Sequence, residues 1–96
     1  GAAKILRLWQ RHPDWPAVSE VKPQADGEYL VYPEQSPMAI RFGSEIGEEP
    51  FGRLSAVLDL WRGREMQVAA VDLTVPGQAV LRLRAGVKGP ERRMTF

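Results

Sequence analysis

The stretch from residue 69 to residue 84 constrains the fold of this chain more than any other. Ala69, Val71, Leu73 and Val75 alternate with Ala70, Asp72 and Thr74. Pro76-Gly77 supplies a turn, and Ala79, Leu81 and Leu83 then alternate with Gln78, Val80, Arg82 and Arg84. A period of two sends successive side chains to opposite faces of an extended backbone, so the stretch reads as a hairpin with one apolar and one polar face. Its register is strongly specified, because a slip of one residue would turn the apolar set toward water.

The elements upstream supply what the apolar face needs. Residues 2–12 predict a helix with Ile5, Leu8, Trp9 and His12 along one stripe, ended by Pro13 and Pro16. Three short β-rich runs follow at 17–22, 28–32 and 38–42, punctuated by Pro23, Asp26-Gly27 and Pro33, and predict an antiparallel meander. After an acidic, glycine-containing loop, Phe51, Leu54, Val57, Leu58 and Trp61 fall on one helical face. Pro50 suits the first position of that helix, Glu48 and Glu49 favour the positive end of its dipole, and Gly63 is a natural stop. The order of helix, three strands, helix and terminal hairpin predicts an α+β domain with a mixed five-strand sheet and both helices packed on one face. The third and fourth strands, joined through a helix, are expected to lie parallel, and the fifth to return antiparallel as an edge strand. Residues 1–85 make up this domain; 86–96, dominated by Gly, Pro and charge, read as a flexible basic tail.

Ninety-six residues make one domain, and 44% hydrophobic with 26% charged residues is ordinary for a globular chain. A catalytic cavity would compete with a modest core for the same apolar side chains. Thirteen basic residues against twelve acidic ones, a formal net charge of +1, are too balanced to attract nucleic acid by field strength alone. No apolar run is long enough to span a membrane, and no signal peptide is visible. Gly1 suits an excised domain, in which case an anchor or targeting segment would lie upstream. The chain has no cysteine, so it has no disulfide, thiolate nucleophile or cysteine-based zinc site. Either a cytosolic or an extracytoplasmic address fits that.

Catalytic chemistry finds little to work with. His12 is the single histidine and Asp14 its one nearby acid, so capping or packing is the preferred role. Glu45, Glu48 and Glu49 read as a solvated loop with helix-dipole contacts rather than an acid/base pair. Gly43-Ser44-Glu45-Ile46-Gly47 lacks the lysine of a phosphate-binding loop. The scattered carboxylates have no metal-ligand spacing, and no cofactor is expected. Trp9, Trp15 and Trp61 read as core aromatics before a base-stacking platform. Arg82, Arg84, Lys88, Arg92 and Arg93 form a basic segment whose plainest meaning is a solvated edge that resists unwanted pairing. Such an edge can also receive an extended segment of another protein as a further strand, with arginines favouring an acidic partner.

At this hairpin the sequence resembles the bacterial division proteins FtsQ and DivIB. Val71-Asp72-Leu73, a turn ending in Gly77 and then Ala79-Val80 are similar to their closing hairpin. Ile40-Arg41-Phe42-Gly43 is similar to the strand before their second helix, and Arg53-Leu54 with Val57-Leu58 to that helix itself. The resemblance covers roughly residues 2–84. It implies the distal β domain of a single-pass inner-membrane protein, on the periplasmic face, in a non-enzymatic scaffold of the divisome at the septum. It also implies capture of an FtsB/DivIC-type partner, itself paired with FtsL, by strand addition at the last β-strand. Asp72, Gly77, Ala79 and Val80 match the family residue by residue; with Gln78, Arg82 and Arg84 from the edge-strand reading, they are the expected partner-binding residues. Val75 and Arg82 stand where many members carry aromatic residues. The alternatives are a generic extracytoplasmic interaction or secretion-assembly module, and a nucleic-acid-binding domain using the basic C-terminal segment.

Overall fold

The chain is described here from a computed structural model, which covers residues 1–84, 89 and 91–96. Helix α1 spans Ala2–Trp9, and the strands β1 (Val18–Pro23), β2 (Tyr29–Pro33) and β3 (Ala39–Phe42) follow. Helix α2 spans Glu48–Leu60, and β4 (Val68–Asp72), β5 (Gln78–Leu83) and β6 (Glu91–Thr95) complete the order. The six strands form one sheet in which spatial order repeats chain order. All neighbours are antiparallel except β3 and β4, which run parallel across α2.

The core follows from the two periodicities. Val31, Ile40, Val71 and Leu81 lie opposite one another across four strands and are at most 1% exposed. Ile5, Leu8 and Trp9 of α1 and Phe51, Leu54 and Val57 of α2 pack on that same face in a single cluster. Each such side chain contributes roughly 1.5–3 kcal/mol when fully buried. The opposite face carries Lys22, Leu30, Arg41, Asp72, Val80 and Arg93 in one cross-strand row and meets solvent.

Several boundaries differ from the sequence-based expectation. Helix α1 stops at Trp9, not at residue 12; the next residues turn more tightly, with the Arg11 and His12 amides donating to the Leu8 and Trp9 carbonyls at 3.1 and 2.9 Å. Helix α2 starts at Glu48, so Pro50 sits within the first turn, where an amide has no helical acceptor in any case. A register irregularity between Val68 and Ala70 puts Val68, rather than Ala69, into the core. Gly77 at φ +74 follows Pro76 in a tight turn closed by the Gln78 amide on the Val75 carbonyl, a backbone conformation that glycine adopts without strain.

The largest correction concerns the C-terminus. The expected five-strand sheet has a sixth strand: residues 91–95, expected to belong to a flexible tail, pair antiparallel with β5 from Gln78↔Thr95 to Arg82↔Glu91. Arg92, Met94 and Phe96 alternate with Arg93 and Thr95, but the single half-buried apolar residue of β6, Met94, leaves the strand signal weak. Residues 85–88 and 90, including Lys88 of the basic segment, lie outside the described residues.

Candidate functional site

Strand β5, expected as the free rim, is held on both sides. Its alternate residues bond to β4 and β6, and Ala79, Leu81 and Leu83 point into the core. The other expected partner-binding residues are similarly committed. The Asp72 carboxylate accepts the Thr74 amide and hydroxyl at 2.9 and 2.6 Å. The Gly77 carbonyl accepts the Phe96 amide at 2.8 Å. The Gln78 carbonyl receives the Arg53 guanidinium. The Arg84 amide and Nε donate to the Gln67 and Met66 carbonyls at 2.9 and 2.7 Å. Val80 and Arg82 keep their side chains on the open face, while their backbone is consumed within the sheet. The outer side of residues 78–82 is therefore occupied by β6, and among the described residues the rim of the sheet is β6 and not β5.

The Phe96–Gly77 bond fixes which β6 groups face outward. In an antiparallel ladder, bonded and non-bonded pairs alternate. With 77↔96 bonded, 79↔94 and 81↔92 bond as well, so Arg92 and Met94 spend their main chain on β5. Arg93 and Thr95 then turn both N–H and C=O away from β5, and no other strand among the described residues meets them; Glu91 turns outward as well, but its carbonyl accepts the Arg92 guanidinium at 3.2 Å.

The opposite edge, β1, is built differently. The Gln24 amide donates to the Glu28 carbonyl at 2.7 Å, so by the same alternation Lys22 and Glu20 face β2 while Val21 and Pro23 face outward. Pro23 has no N–H, and the register breaks between Val18 and Glu20. Proline and a bulge are the usual devices that stop an edge from pairing. β6 has neither, and its register runs without a break.

Around the β6 rim, Arg93 lies across from Val80 on the open face and one register step from Arg82. On the helix side, Met94 packs against the core and Phe96 is 55% exposed. The open-face side of the rim thus carries Arg82 and Arg93 with one acid, Glu91, and the helix side carries Met94 and Phe96 with Arg92. The remaining candidates are accounted for structurally. Glu48 pairs with Arg11 at 3.3 Å and Glu49 with Arg53 at 2.7 Å. His12 stacks on Trp15 with ring centres 3.8 Å apart. No helix among the described residues is long and apolar enough to cross a membrane. Among known proteins, no family model, no curated sequence and no solved structure matches the chain.

Proposed function

We propose that this chain is a non-enzymatic scaffold domain that binds a second polypeptide by strand addition along the outer edge of β6. The observation that carries the reading is the contrast between the two edges. One is interrupted by a bulge and a proline; the other runs in unbroken register and, among the described residues, leaves both backbone groups of Arg93 and Thr95 without a partner in the sheet. Each added net hydrogen bond is worth about 0.5–1.5 kcal/mol, so a short segment gains useful affinity from its main chain alone. Arg82 and Arg93 favour acidic side chains on the open-face side of the incoming strand, while Met94 and Phe96 favour apolar ones on the other.

The hairpin resemblance to FtsQ and DivIB supports an FtsB/DivIC-type segment as the partner and the extracytoplasmic face of the inner membrane as the setting. The strand that would receive it is the last of the sheet, as in that family, but β6 instead of β5. A nucleic-acid surface is less well supported, because Arg82 and Arg93 share the open face while Arg92 lies in the row of Leu81 on the other and Arg84 is engaged with Met66.

Arg93→Pro tests the edge directly. The Arg93 N–H is not used by β5, so the domain keeps its fold, with a loss of about 1 kcal/mol or less in thermal unfolding. Capture of an FtsB/DivIC segment falls at least tenfold, because the incoming strand loses its central donor and meets the proline ring. Undiminished capture by a folded Arg93→Pro protein would show that the partner does not use this rim.

A further inference from the structure

At the end of the sheet where β2 passes into β3, a groove of about 380 Å³ opens between the α1–β1 loop, the β2–β3 turn and the C-terminal end of α2. That volume lies within the range of sites that take a small ligand or a few side chains. Trp9, Trp15, Met38, Leu58 and Met66 supply an apolar lining, and Met66 is 66% exposed. Asp14, Glu34 and Glu65 stand around it with Arg62 as the single cation. Arg62 is itself engaged, 2.7 Å from Asp59 and 3.9 Å from Asp14, and the Asp59 hydrogen bond raises its pKa. The groove therefore has a negative rim over an apolar floor.

The walls are tied in place. The Trp9 indole N–H donates to the Pro16 carbonyl at 2.8 Å, the Glu34 amide to the Ala17 carbonyl at 2.7 Å, and the Met38 amide to Ser36 Oγ at 3.2 Å. Trp15 is held flat against His12. A groove preformed in this way asks little ordering of itself when a ligand enters.

We infer that this groove is a second protein-binding site, separate from the β6 edge, which takes an extended peptide segment bearing an apolar side chain flanked by lysine or arginine. The apolar side chain enters between Trp15, Leu58 and Met66, and the cations meet Glu34 and Glu65.

The test is an NMR titration of the whole chain with the acetylated tetrapeptide amide arginine-leucine-proline-lysine, and with its counterpart in which glutamate replaces both cations. The expected result is saturable shifts of the Trp9 and Trp15 indole N–H groups and the Glu34, Met38 and Glu65 amides with the basic peptide alone. Binding weakens as salt rises and falls roughly tenfold in the Glu34→Gln/Glu65→Gln variant, two charge contacts at or near the surface being worth about that much together. Glu34 is exposed and Glu65 half-buried, and a dispersed spectrum of the variant certifies its fold. Equal binding of the acidic peptide, shifts confined to other regions, or no shift at all would overturn the inference. So would dilution-dependent shifts of the same resonances without peptide, which would mark a second copy as the occupant. Arg93→Pro leaves this titration unchanged, so failure at the groove and failure at β6 are told apart.

Discussion

Arg53→Ala lowers the stability of this domain by about 3 kcal/mol, the largest loss expected from any single charged residue here. Arg53 is the one buried charged side chain among the described residues, 4% exposed within the first half of α2. Its Nε and Nη2 donate to the Glu49 carboxylate at 2.7 and 2.9 Å, while Nη1 reaches the Val75 carbonyl at 2.9 Å and also the Gln78 carbonyl. One guanidinium thus fastens the start of α2 to the turn between β4 and β5. Hydrogen bonds to a charged group contribute about 1.5–3 kcal/mol, and removing one member of a buried pair leaves its partners short of a donor. For a domain of this size the melting temperature falls by roughly 12–24 °C. Glu49→Gln is the informative control. Glu49 is 59% exposed at its side chain, and the amide still accepts a hydrogen bond, so the loss is about 1 kcal/mol or less. Equal losses in the two variants would sink the view that the turn carbonyls matter more than the ion pair.

Val80→Pro unfolds the domain or costs it about 3 kcal/mol or more. Val80 lies opposite Asp72 on β4 and Arg93 on β6. The bonded pairs between β5 and β6 are the odd residues of β5, so the Val80 N–H is spent on β4. Proline removes that bond in the interior of a sheet, where no solvent replaces it. The comparison with Arg93→Pro is sharp: two residues directly across from each other, one substitution lethal to the fold and the other tolerated. Circular dichroism and thermal melts of the pair decide it. A Val80→Pro protein that melts within a few degrees of the parent would mean that β5 does not lie between β4 and β6.

Particular residues explain why the sequence points to β5 as the rim. The alternation at 69–75 and 78–84 identifies a hairpin and its apolar face, and Val71, Leu73, Ala79, Leu81 and Leu83 are indeed buried. The meander, the parallel passage through α2 and the helices on one face were legible for the same reason, since each leaves a periodic apolar mark. β6 leaves almost none. A strand at the margin of a sheet needs only one or two apolar contacts, and here Met94 provides them amid Glu91, Arg92, Arg93 and Thr95. Composition alone reads such a segment as tail. Arg53 is equally hidden: its spacing from Glu49 suggests an ordinary surface ion pair within the helix, while the two carbonyls that draw it into the interior lie more than twenty positions away. The groove at the β2–β3 turn likewise draws on residues from five separate segments, and no local window of sequence joins Trp15 to Glu34 and Met66.

That the spatial order of strands repeats their order along the chain bears on how the molecule assembles. Each ladder closes over a short separation; the longest jump is the passage from β3 to β4 through α2, and the helix shortens it by forming locally. Loop-closure entropy is then modest at every step, and a topology of this kind sits toward the fast end for a mixed sheet. A chain emerging from the ribosome acquires its sheet one strand at a time, each new margin serving as template for the next. Among the described residues β6 is the last strand that this stepwise growth adds, one ladder beyond the hairpin whose alternation the sequence displays.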